Sequence, residues 1–200
     1  MPTATVEPSS SADHRQRRRI TWWPMLLIPL ALGAALLMAL LAPDVFHEMQ
    51  IWLEVPAPWL VGLIALVYLV RSVKTSNPLY MLLAAMAVVF TLREIHFGWM
   101  DKGVYIGAAV VGVWAVLWRR RLAEPLRDRR HTSWLLATIA AYAVAVMIDR
   151  RFFQFIPGED DIHRPLEEWA ETAAHLLFLV TAMLGGWRKF PRFKTKSSGD

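Results

Sequence analysis

The 200-residue chain is 56% hydrophobic, with ten Trp, a mean hydropathy of +0.33 and a formal net charge of +5. Its apolar residues fall in long uninterrupted blocks with the charges between them, which excludes an ordinary soluble domain and points to a multi-span membrane protein. The absence of Cys excludes disulfides, thiolate chemistry and Cys-ligated metals.

Residues 1–19 are small, polar and basic, without apolar periodicity, and read as a disordered cytoplasmic tail. "RQRRR" then precedes the apolar run Ile20 to Ala42. That run is too long for a signal-peptide core and lacks a good cleavage pattern, so it reads as an uncleaved first span. "PDVFHEMQIWLEVP", Pro43 to Pro56, is too polar to cross and reads as an amphipathic interfacial helix with Asp44 as its N-cap. Further spans follow, and the full set is about 21–42, 57–73, 78–95, 103–118, 132–149 and 166–187. A crossing needs roughly 20 residues, so the shorter ones require snorkelling or interfacial ends. Trp at 22, 23, 59, 99, 118, 134, 169 and 187 lies near these ends, as an aromatic belt does. Pro78 and Pro165 fall at predicted helix starts, where a missing N–H is harmless. The expected fold is all-α: an integral membrane bundle of six transmembrane helices over residues 20–188, with short loops, one interfacial amphipathic helix and a basic cytoplasmic tail at 189–200.

Lys and Arg set the orientation. With the N-terminus in the cytoplasm, 17 of the 22 basic residues fall on the cytoplasmic side, which places both termini there and the protein in the cell inner membrane. "WRRRLAEPLRDRR" and "WRKFPRFKTK" then meet anionic lipid headgroups. Nucleic acid is not expected as a partner, because no aromatic-interleaved reading surface accompanies the basic runs. The acids lean the other way, with 12 of 17 outside or at the outer membrane edge. Carboxylates contribute little to orientation, so that bias is the first hint that the outer side carries the function.

Three charged helix ends face that side. "FTLREIHFGWMD" ends the third span with Arg93, Glu94 and His96; "VMIDRRFF" ends the fifth with Asp149, Arg150 and Arg151; "PLEEWAETAAHLLFL" opens the sixth. Glu168, Glu171 and His175 lie at i, i+3 and i+7, one stripe of a helix, with His175 roughly 10 Å deeper than Glu168. Intramembrane ionisable groups usually face the bundle interior and mark function, so the three ends are expected to share one site.

Three readings of that site follow. In the first, a metal-dependent membrane hydrolase, His96, Asp149, Glu168 and His175 are the candidate ligands of a divalent ion such as Zn, Mn or Fe, and Glu94 and Glu171 are the catalytic carboxylates. No H-E-x-x-H or H-x-x-x-H pair supports this set. In the second, the cluster is structural or partner-binding, with Arg93 and Arg150 as ion-pair partners of the acids. In the third, the carboxylates and a buried His relay protons in a proton- or cation-coupled carrier. A haem between His96 and His175 fits poorly, because the two sit at different depths. Gly103 and Gly107 make a G-x-x-x-G, which permits close helix packing within the bundle or in a homodimer. The chain is similar to the membrane hydrolase superfamily that includes alkaline ceramidases only in carrying polar residues at helix ends of a membrane bundle. It departs from that pattern in having six spans, not seven, and no H-x-x-x-H in the last one, so no residue is carried over.

Overall fold

The computed structural model describes residues 21–95, 100–154, 159–184 and 186, without the side chains of 100–102 and 159–161. Both predicted tails and His96 lie outside the described residues. Regular structure among the described residues is entirely helical: a 3-10 turn Trp23–Leu26 leading into α1 (Leu27–Leu41), then α2 (Pro43–Glu54), α3 (Ala57–Thr75), α4 (Pro78–Glu94), α5 (Met100–Leu117), a short α6 (Arg119–Leu122), a 3-10 turn Pro125–Arg127, α7 (Arg129–Asp149) and α8 (Glu159–Leu184).

Local chemistry explains several of the ends. Asn77 caps α4 by accepting from Leu79 N at 2.9 Å, with Pro78 preset at the first helical position. Asp128 caps α7, accepting from Arg130 N and His131 N at 3.2 and 3.4 Å. α3 stops at Ser76, whose left-handed φ of 55° turns the chain into α4 within three residues. Two sequence expectations shift. The cap of α2 is Ala42, without a side-chain bond, and Asp44 sits in the first turn because Pro43 already starts the helix. α8 begins at Glu159, so Pro165 is inside it and not at its start. A proline in the second turn of a long helix removes only one ladder bond, and the acidic residues ahead of it favour a helix N-terminus.

The long helices alternate in direction. The ends of α3 and α8 meet the starts of α4 and α7: Arg71 donates to Ala182 O, Tyr80 Oη donates to Gly186 O at 3.1 Å, and the Tyr80 and His131 rings lie 5.7 Å apart. α1 begins beside the start of α7, where Trp23 packs edge-on against Trp134 at 5.0 Å. It runs antiparallel to α8, and Trp169 Nε1 ties the two together by donating to Ala31 O at 2.9 Å. Small residues let α7 and α8 approach closely: Ala141 packs with Ala174, and Ala145 with Ala170. The central cluster joins Ile64 and Tyr68 of α3, Tyr80, Ala84 and Ala87 of α4, and Phe178 and Ala182 of α8.

Polarity is sorted inside out. Arg71, Thr75, His131, Ser133, Thr138, Glu171, His175 and Thr181 are buried, while Leu40 is 81% and Leu117 75% exposed. Three helices are long and apolar enough to cross a membrane: Trp23–Leu41, Ala57–Thr75 and Arg129–Asp149. α4 has 17 residues, α5 has a shorter apolar part at Gly103–Leu117, and α8 has 26 residues with its acids in the first half. Gly107 of the G-x-x-x-G is used within the bundle: a Cβ there would sit 2.9 Å from both Val89 methyls of α4.

Candidate functional site

The acid-rich end of the bundle encloses a cavity of ≈ 410 Å³ lined by Glu54, Val55, Arg93, Glu94, Glu167, Glu168 and Glu171. Each wall has a separate origin. α2 packs against α8, with Phe46 buried, and delivers Glu54 at its C-terminus. α4 delivers Arg93 and Glu94 in its last turn, and α8 delivers its three carboxylates from one broad face.

One ion pair and one longer approach join α4 to α8. Arg93 Nη1 lies 2.6 Å from Glu171 Oε1, and His175 Nε2 lies 3.9 Å from Glu94 Oε1. The adjacent residues Arg93 and Glu94 therefore engage partners one helical turn apart on α8. His175 is 1% exposed, behind Glu94 as seen from the cavity, and its Nδ1 has no hydrogen-bond partner in the protein. Five carboxylates and one guanidinium line the cavity, and Arg93 pairs with Glu171. Such a cavity concentrates cations.

The structure thus gathers Arg93, Glu94, Glu168, Glu171 and His175. It does not bring Asp149 and Arg150 to the cavity wall. Arg150 Nε lies 3.8 Å from Asp149 Oδ2, and its guanidinium covers the Tyr105 ring at 5.1 Å and donates to the Tyr105 hydroxyl, tying α7 to α5 at the surface. Sequence reasoning missed Glu54 and Glu167. Glu167 was legible: His163, Glu167, Glu171 and His175 form an unbroken i+4 stripe, and His163 Nε2 reaches Glu167 Oε2 at 3.8 Å. Glu54 carried no signal, because only the docking of α2 brings it in. Among the described residues no three or more His, Asp or Glu groups are placed to hold a metal ion together. Asp149, Glu168 and His175 form no such group, and His96, the fourth proposed ligand, lies outside the described residues.

A second cavity, ≈ 290 Å³, lies between α1, α7 and α8 and is lined only by apolar residues, Leu27, Ile28, Ala141 and Leu177 among them. Comparison with protein families, curated proteins and solved structures finds no match for this chain.

Proposed function

We propose that the chain is a six-span inner-membrane protein with both termini cytoplasmic, and that it is a proton- or cation-coupled carrier whose acidic cavity loads the cation from the outer side. Three apolar helices of crossing length, the alternating helix directions and the apolar exterior support the six crossings. α4 reaches about 26 Å at 1.5 Å per residue, close to the ~30 Å hydrocarbon core. The basic runs then face anionic lipid on the cytoplasmic side.

One observation carries the carrier reading: five carboxylates line a single cavity with one guanidinium, and a fully buried His stands behind them. Glu94 and Glu168 are the loading carboxylates. Arg93 and Glu171 hold the wall. His175 is the first group inward from the cavity. A pH jump applied to membranes bearing the purified protein should give a transient charge displacement, which Glu94→Gln and Glu168→Gln together abolish. Jumps in Na⁺ and in methylammonium identify the loaded ion. A double variant that still gives the full signal would remove these carboxylates from the loading step.

The Arg93–Glu171 contact favours a second reading, in which the cluster only fixes helix packing. That reading expects no charge displacement in the wild type for any of the three jumps. The metal-dependent hydrolase draws no support from the described ligands.

A further inference from the structure

We propose that a buried column of rings, from Glu94 and His175 through Tyr142, Tyr68 and Tyr80 to His131, is a hydrated proton route joining the acidic cavity to the opposite end of the bundle. The proposal rests on the carrier reading for its entrance, and the column itself is an independent observation.

The rings adjoin from end to end, with Phe178, which has no proton to pass, between Tyr142 and Tyr68. Glu94 meets His175 at 3.9 Å, and the His175 and Tyr142 rings lie 5.6 Å apart. Tyr142 and Phe178 follow at 6.1 Å, then Phe178 and Tyr68 at 5.3 Å, Tyr68 and Tyr80 at 5.9 Å, and Tyr80 and His131 at 5.7 Å. Three of the four Tyr in the chain are on it. Tyr80 and Glu94 mark its ends on α4, fourteen residues or roughly 21 Å apart, most of the thickness of a hydrocarbon core.

Four polar atoms on this column are buried without a hydrogen-bond partner in the protein: His175 Nδ1, Tyr142 Oη, Tyr68 Oη and His131 Nε2. They come from α8, α7, α3 and α7 again, so no single helix pattern produces them. Each would cost about 1–3 kcal/mol if left unsatisfied. A column serving packing alone is better built from Phe and Leu. The route assigns water to these groups, which would satisfy them and, with the side chains, carry the proton.

The charged groups along the path fit one direction of entry. Arg93 and Glu171 flank the outer end. At the inner end the buried Arg71 guanidinium stacks over Tyr80 at 5.1 Å, and the exposed Asp128 accepts from the His131 backbone N–H. A proton from the outer solvent adds to a cavity carboxylate and passes to His175 Nε2, and His175 Nδ1 releases one toward Tyr142. It leaves at His131 and Asp128 into the inner solvent. No bond other than O–H and N–H forms or breaks, and one positive charge crosses. The fixed charge of Arg71 makes the inner end the high-energy step.

The test is proton flux into vesicles loaded with a pH dye, driven by a valinomycin–K⁺ potential that returns the compensating charge. Wild-type vesicles should conduct above protein-free ones. Tyr142→Phe, which keeps the ring and removes the hydroxyl, should reduce that flux ~tenfold or more, as should Tyr68→Phe. Tyr105→Phe, off the column, should leave it unchanged. Flux no greater than that of empty vesicles, or undiminished flux in Tyr142→Phe, overturns the proposal. The charge displacement of the loading step should survive in Tyr142→Phe. Its presence in a protein without flux would retire the route and keep the loading site, whereas its absence from the wild type would retire the loading site itself.

Discussion

At the scale of single residues, the end of α4 is the decisive place, because two neighbouring side chains there engage α8 in different ways. Glu171 is 8% exposed and depends on Arg93 for its charge balance. Removing Arg93 strands a buried carboxylate, whereas neutralising Glu171 leaves a cation that reaches the cavity. Arg93→Ala should therefore lower stability by about 1–3 kcal/mol and Glu171→Gln by less, with the double variant recovering part of the loss. Thermal unfolding in detergent measures this, and equal, additive losses would show that the contact carries no coupling. The column tyrosines should behave differently. Their hydroxyls have no protein partner, so Tyr68→Phe and Tyr142→Phe should change stability by less than about 1 kcal/mol in the same assay. A larger loss in either would mean the hydroxyl holds the fold and is not a free member of a proton path.

At the scale of helices, close approach is decided by residues without bulk. A methyl on Gly107 would stand 2.9 Å from both Val89 methyls, and β-branched Val has little rotamer freedom to yield. Gly107→Ala should cost about 1–3 kcal/mol, and Val89→Ala in the same chain should restore most of it. Gly112, where an added Cβ meets nothing within 4 Å, should accept Ala with no loss and up to about 1 kcal/mol of gain in helix propensity. Unfolding curves of the three variants check both statements, and a Gly107→Ala protein as stable as the wild type would contradict the α4–α5 packing. The same scale explains α2. Its apolar side buries Phe46 against the bundle and so brings an acid, Glu54, to the cavity.

At the scale of the whole molecule, the distribution of polarity is what makes a bilayer the fitting environment. Buried Arg71, Glu171 and His175 beside exposed Leu40 and Leu117 invert the soluble pattern. The absence of Cys makes the sidedness directly measurable, because single cysteines have no background. In intact cells, Glu54→Cys should react with an impermeant thiol reagent. Arg120→Cys and Asp128→Cys should react only after the membrane is opened. The reverse pattern would invert the protein and turn the acidic cavity toward the cytosol.

Much of this architecture was legible in the sequence by itself. Apolar blocks bounded by charge dictate helices and their lengths, and Pro78 places the start of α4, because both effects act within a few residues. The stripe through Glu171 and His175 was legible for the same reason. Tertiary packing decided what those stripes meet. A helical period specifies which side chains share a face but not which helix that face finds. Arg93 therefore reaches Glu171 seventy-eight residues on, Glu54 enters by the docking of α2, and Arg150 turns instead toward Tyr105 on α5. The column from His175 to His131 is likewise a property of the assembled bundle, since its rings come from four helices and adjoin only when those helices pack.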